Sequence, residues 1–194
     1  MHENIFKHLK EVYRPNAIIL HGSRARGRER QNSDWDFIFL YNSTPEKEVG
    51  RELYEGHNIE FTSHTLPIDD VEKEFSSKLQ NAKVIYEENG EATQLLNSAN
   101  DFYAKGVYWS SEKISNHKLW MQGRIDGMKD TIDNPPLFLK YFSDLYPRVY
   151  SYWYWMLQHS HSQPVYMAIE EIEEKDPEYF ILVREFADIN ASLE

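Results

Sequence analysis

Four residues in the first third of the chain have the types and spacing to handle a phosphorylated ligand. Gly22 and Ser23 close the apolar run Ile18-Ile19-Leu20 through His21. Ten residues separate Ser23 from Asp34, and Asp36 follows two positions later, opening a second apolar run, Phe37-Ile38-Phe39-Leu40. A glycine lets the backbone turn sharply after a strand. A serine at the N-terminus of the next helix would sit where free N–H groups and the helix dipole attract phosphate. Side chains alternate along a strand, so Asp34 and Asp36 face the same way. Two carboxylates held that close repel each other unless a cation lies between them. Mg²⁺ suits such a pair, because it is a hard ion that shares its shell with substrate phosphates.

A third acidic group is expected if two metal ions are used, and Glu60 is the best candidate. In Asn58-Ile59-Glu60-Phe61-Thr62 the alternation puts Asn58, Glu60, Thr62 and His64 on one face and Ile59 and Phe61 on the other. Two metals would stabilise both the attacking and the leaving oxygen of an in-line displacement. The chemistry that follows is nucleotidyl transfer: an acceptor hydroxyl attacks the α-phosphate of a nucleoside triphosphate and pyrophosphate leaves. Glu60 could serve as a metal ligand, as a base for that hydroxyl, or as both. Arg24 reads equally as a phosphate contact or as surface, whereas Arg28 and Arg30 read as a solvated face. His21 reads as a hydrogen-bonded structural histidine.

The elements that must hold these groups are legible in outline. Residues 2–13 place Ile5, Phe6, Leu9, Val12 and Tyr13 on one helical face. Ala17 to His21 reads as a buried strand, Ser23 to about Arg30 as a short helix, and Asp34 to Tyr41 as a second strand. Thr44-Pro45 reads as a helix start and Gly56 as its stop. His57 to His64 reads as a third strand, Ile68, Val71, Phe75 and Leu79 as an amphipathic helix, and Lys83 to Tyr86 as a fourth strand. After Gly90 every strong signal is helical. One apolar stripe is Leu95, Leu96, Ala99, Phe102 and Tyr103, and a second runs from Ile114 to Ile132. Gly123 and Gly127, four apart, suggest close helix packing. A long aromatic helix, Phe138 to His159, carries Pro147, where a kink or break is expected. Its aromatics are too dense for one face and read mainly as core and interface packing, with the rest available to an acceptor pocket or a homodimer contact. Asp176-Pro177 separates two final helices.

Composition bounds the function. The chain has 194 residues and a formal net charge of −11. That charge argues against a broad grip on nucleic acid, which depends on basic surface. No apolar run approaches the length of a membrane span. Met1-His2-Glu3-Asn4 lacks the basic region and apolar core of a secretory signal, so none is expected. There is no cysteine, which excludes disulfides and thiolate metal sites and fits a cytoplasmic location.

The stretch His-Gly-Ser-Arg-Ala-Arg-Gly, then Ser-Asp-Trp-Asp-Phe, then Ile-Glu-Phe resembles the DNA polymerase β-like nucleotidyltransferase superfamily. Within it, the chain resembles the small bacterial branch of minimal and antibiotic nucleotidyltransferases, such as the kanamycin enzyme. The resemblance carried by motifs covers roughly residues 15–65. It implies an α+β fold, with a small mixed sheet and flanking helices over 1–90 and an all-α helical bundle over 91–194 that binds the acceptor or a partner. It implies that Gly22 and Ser23 contact the triphosphate, and Arg24, beside that turn, is the candidate further contact. It also implies that Asp34, Asp36 and Glu60 are the catalytic, Mg²⁺-binding carboxylates. ATP is the implied donor, and a small hydroxylated molecule, such as an aminoglycoside-like antibiotic, is the implied acceptor. An acidic protein suits a cationic acceptor of that kind. The alternatives are a protein adenylyltransferase of the toxin–antitoxin type and a non-catalytic nucleotide-binding module.

Overall fold

The computed structural model describes residues 2–68, 75, 78–161 and 165–191. The chain divides into two compact units, residues 1–105 and 106–194. The first holds α1 (His2–Tyr13), β1 (Ala17–His21), α2 (Gly22–Ala25), β2 (Trp35–Tyr41), β3 (Val49–Tyr54), β4 (His57–Thr65), β5 (Lys83–Glu87) and α3 (Glu91–Ala104). The second holds α4 (Ser111–Asp130), α5 (Pro135–Tyr152), a π-helical turn Trp153–Leu157, α6 (Val165–Lys175) and α7 (Pro177–Ala191). The expected α+β class is observed, and among the described residues the second unit is built from helices. Among the described residues, no helix is long and apolar enough to cross a membrane.

The five strands form one sheet in the order β3-β4-β2-β1-β5. β2 and β4 are parallel and the other neighbours antiparallel. Alternation sorts the sheet into two apolar faces. Ile18, Leu20, Trp35, Phe37, Phe39, Ile59 and Phe61 pack with Ile5 and Leu9 of α1. Ala17, Ile19, Ile38 and Leu40 pack with Phe75, Leu79 and Ala92, Leu95 and Ala99 of α3. Burying a Leu or Ile side chain of this kind stabilises by roughly 1.5–3 kcal/mol. Val12, expected on the buried face of α1, is 54% exposed, at the last turn before Arg14 takes a positive φ of 49°. α3 buries its apolar stripe on the sheet, so the compact unit continues past residue 90 to Lys105.

One expected helix is a strand. Residues 45–55 read as helical from Thr44-Pro45 and Gly56, yet β3 runs from Val49 to Tyr54. Two observations account for this. Glu55 and Gly56 both have positive φ, 48° and 80°, which is the backbone of a two-residue hairpin turn. Gly50 lies flat against the Phe61 ring, where a Cβ would overlap the ring carbons, so β3 can close on β4 only with glycine there. Glu52 then accepts hydrogen bonds from Tyr13 (2.8 Å) and pairs with His8 (3.0 Å), tying the edge strand to α1. The amphipathic helix expected from Ile68 lies largely outside the described residues, although Phe75 and Leu79 are buried in the core.

The helical unit departs from expectation at the aromatic helix. α5 runs through Pro147 without a break. The change of geometry comes later, at the π-helical turn. There four consecutive aromatics find four partners. Tyr152 meets His117, Trp153 donates to Asp176 (2.9 Å), Tyr154 donates to Glu171 (2.6 Å), and Trp155 packs on Trp109 at 5.1 Å. The wider turn fans out side chains that an α-helix would crowd onto fewer faces. Gly127 lies against Tyr141, as close packing requires, while Gly123 faces open space and Ile132 is exposed.

Candidate active site

The sequence-identified residues meet at one end of the sheet face that carries Ile19 and Ile38. Asp36 lies opposite His21 of β1 and opposite Glu60 of β4. Paired residues on neighbouring strands share a face and stand about 5 Å apart. The three side chains therefore form a polar row at the mouth of an otherwise apolar layer. Asp34 precedes β2 by one residue and is half-buried.

Gly22 is the tightest point. Its φ is +74°, a left-handed conformation that favours glycine, and a Cβ there would overlap the Asp36 carboxylate, whose Cγ would lie only 2.9 Å away. The turn after β1 and the Asp36 side chain are thus packed against each other. The helix expected from Ser23 to Arg30 is only the single turn Gly22–Ala25, because Arg26 and Gly27 leave helical pairing and Arg28 bonds back to the Ser23 carbonyl at 3.0 Å. So short a turn has little dipole; what it offers is local backbone N–H groups and the Ser23 hydroxyl, which has no hydrogen-bond partner among the described residues.

Arg24 is committed to the carboxylate strand. Its Nε donates to the carbonyls of Ser33 and Asp34 (3.2 Å each), its Nη2 donates to Ser33 at 2.6 Å, and its guanidinium lies over the Trp35 ring at 4.5 Å. It links the Gly22–Ser23 turn to the backbone that presents Asp34. Arg28 and Arg30 are exposed, as expected of a solvated face.

Asp36 is a partly buried carboxylate with a like charge nearby. Burial raises its pKa above the usual carboxylate range and the Asp34 charge raises it further, while Arg26, Lys78 and Arg24 offset part of the rise. Burial also pushes the His21 imidazole down to about 4, with Lys78 and Arg26 acting in the same direction. Lys78 is a cation of this site that the sequence pattern did not single out. It lies next to Leu79, whose burial in the same layer could have flagged it.

Glu60 lies beside Asp36 in register but its carboxylate is ion-paired with Arg51, its cross-strand neighbour on β3. For that reason the three acids do not close into one cluster: among the described residues, no group of three or more His, Asp or Glu side chains is arranged to hold a metal ion. The Asp34–Asp36 pair fits a divalent cation on its own terms. It supplies hard oxygen donors whose mutual repulsion a cation would relieve, and Mg²⁺ is commonly held by one or two carboxylates plus substrate phosphates. A cavity of about 390 Å³ in this unit, lined by Asn42, Leu66, Ile68 and Gln94 among others, lies at the opposite end of β2 and contains none of these residues.

Residues 3–91 match the family described as polymerase beta, nucleotidyltransferase. No curated protein matches the chain. Among solved structures, the chain is similar to a nucleotidyltransferase-like protein from Exiguobacterium sibiricum, with 11% identity and a TM-score of 0.46 over 93% of this chain. This chain spans 66% of the length of that structure. The mixed sheet and the Gly22-Ser23 turn packed on Asp36 lie within the residues, 3–91, that match this nucleotidyltransferase family.

Proposed function

We propose that the first unit binds a nucleoside triphosphate, ATP in the leading case, with a divalent cation. It then transfers the nucleoside monophosphate to a hydroxyl of a small acceptor, releasing pyrophosphate. The observation that carries this reading is the packing of the Gly22 turn on Asp36, with the Asp34 charge beside it. It sets the backbone of a tight glycine turn directly against a partly buried carboxylate with a second carboxylate nearby.

In this reading Asp34 and Asp36 hold Mg²⁺, and the Gly22–Ser23 backbone and the Ser23 hydroxyl hold phosphate oxygens. The cation, when bound, supplies charge neutralisation for the phosphates and the leaving pyrophosphate. Arg24 fixes the Ser33–Asp34 backbone and so sets where Asp34 points. His21 stays neutral at physiological pH, so it adds no positive charge to compete with the cation. Lys78 and Arg26 add positive charge toward Asp36 and an incoming phosphate. Glu60 is the third carboxylate. Arg51 neutralises it in the ligand-free chain and is a cation on the same sheet face. A small hydroxylated acceptor, with an aminoglycoside-like antibiotic as the first class to test, remains the proposed target.

The test is a pyrophosphate-release assay with Mg²⁺, each of the four nucleoside triphosphates, and a panel of aminoglycosides, other hydroxylated small molecules and candidate proteins. Release with at least one acceptor, lost in Asp36→Asn, is expected. Equal release by Asp36→Asn would remove the metal-site assignment. Triphosphate binding with no release across the panel would favour a non-catalytic nucleotide-binding module.

A further inference from the structure

The helical unit contains an open cleft of about 270 Å³ lined by Asn116, His117 and Trp120 of α4 and Arg148 of α5. Its chemistry is opposite to that of the sheet site. Among the described residues no carboxylate lines it, in a chain with 32 acidic residues against 21 basic ones. Every lining side chain can donate a hydrogen bond: an amide, an imidazole, an indole and a guanidinium. Arg148 and nearby Lys113 have no carboxylate partner among the described residues, whereas Arg124, which lies over Trp120 at 5.0 Å, is paired with Asp144 at 3.4 Å.

The floor of the cleft is aromatic. His117 Nδ1 is 2.8 Å from the Tyr152 hydroxyl, and its ring packs on Trp109 with centroids 4.3 Å apart. Lys113 lies over the other ring of that pair, Trp109, at 4.6 Å, and Arg148 lies 5.8 Å from the Trp155 ring. Burial and the charges of Lys113 and Arg148 lower the His117 pKa, so the ring is neutral at physiological pH. Tyr152 is buried and stays a phenol. His117 and Trp120 are half-buried, while Asn116 and Arg148 are exposed at the rim. An aromatic floor alone would also suit a cation. The positive rim excludes that choice, because Arg148 and Lys113 would repel it. A cavity of this size lies just below the usual range of small-molecule pockets, roughly 300–1,000 Å³, and suits only a small, single-ring ligand.

We propose that this cleft binds a small flat anion, an aromatic ring bearing a carboxylate or phosphate, with Arg148 taking the charge and Trp120 and His117 taking the ring. The inference concerns binding only and does not depend on the transfer reaction proposed for the sheet site. It assigns the helical unit a ligand of opposite charge to an aminoglycoside.

The experiment is a ligand titration of the full chain, without nucleotide or metal, followed by NMR of the His117 and Trp120 side-chain signals. The probes are benzoate, phenyl phosphate, cyclohexanecarboxylate and benzylamine. Benzoate or phenyl phosphate is expected to bind with a Kd on the order of millimolar, as fragments of that size do. Cyclohexanecarboxylate should bind more weakly, and benzylamine should not shift these signals. The tighter of the two aromatic anions identifies the headgroup. Arg148→Met should weaken the aromatic anions at least about tenfold, the size of one lost charge-assisted contact, and Arg148→Lys should restore part of that loss. Circular dichroism checks that both variants fold. Equal binding by Arg148→Met, benzylamine binding as tightly as benzoate, or no shift with either aromatic anion would overturn the proposal. Loss of pyrophosphate release with these titrations intact would count against the transferase reading alone.

Discussion

The two units concentrate charge in opposite ways. In the sheet unit the fold presses two carboxylates together at the end of β2 and leaves Asp36 with a raised pKa. In the helical unit it gathers Arg148, Lys113 and a neutral imidazole around aromatic rings and keeps acids out of the cleft. The first arrangement asks for a cation and the second for an anion. The backbone differs as well. The sheet site is fixed by a glycine with no room for a Cβ, whereas the helical cleft is built from side chains on helix surfaces, which can adjust.

The largest expected effect tests that rigidity. Gly22→Ala meets the Asp36 carboxylate and a φ of +74° together, so it should cost about 3 kcal/mol of stability and abolish transfer. Urea denaturation and pyrophosphate release measure the two losses. A variant of wild-type stability would mean the turn and the carboxylate are not packed as described.

Next comes the clamp. Arg24→Ala frees the Ser33 and Asp34 carbonyls from three hydrogen bonds and uncovers Trp35. Transfer should fall by about a hundredfold through misplacement of Asp34. If Arg24 acts through Asp34, the Mg²⁺ concentration at half-maximal rate should rise as well; an unchanged value would make it a surface residue.

Acidification tests both histidines in the same direction. His21 has a folded pKa of about 4 against 6.5 unfolded, so its native neutral form contributes stability above about pH 6.5 that is lost as pH falls. In metal-free protein that amounts to about 2 kcal/mol between pH 7 and pH 5. Burial of Asp36 acts with the opposite sign at lower pH, because protonation of its raised carboxyl favours the folded state. His117 shifts in the same direction as His21. NMR titration of the ring protons should find both below 6.5, and a His21 that titrates near 6.5 would contradict its burial.

The smallest effect lies in the helical unit. Gly127→Ala would bring a Cβ to 2.8 Å from the Tyr141 ring. That ring is a side chain, half-buried and able to shift, so the cost should be about 1 kcal/mol, well under that of Gly22→Ala. Equal costs for the two glycines would erase the contrast between a rigid and an adaptable site.

How much was legible in the sequence follows the same division. Asp34, Asp36 and Glu60 could be read because a strand repeats every two residues, and parallel pairing then put Asp36 beside Glu60. The Arg51–Glu60 pair is not legible in the sequence, since residues 45–55 carry a helix cap and stop that point to a helix rather than to β3. Glu55-Gly56 was the available signal, a two-residue turn between two extended runs. The Arg24 clamp depends on the return of the chain at Ser33, which local spacing does not encode. Lys78 came into play only through the burial of its neighbour Leu79. In the helical unit the aromatic run of Tyr152 to Trp155 announced density but not direction. The π-helical turn sets the direction, and no residue in Trp153–Leu157 forecasts it.

The proposed role of Asp34 and Asp36, the latter packed on the Gly22 turn, is to hold a divalent cation together with a triphosphate. The most direct measurement is calorimetric titration of the full chain with a non-hydrolysable ATP analogue, with and without Mg²⁺, for wild type and Asp36→Asn. The account predicts that Mg²⁺ tightens binding at least about tenfold in the wild type, or ~1.4 kcal/mol, and gives no gain in Asp36→Asn. An Asp36→Asn variant that keeps the full Mg²⁺-dependent gain would contradict it.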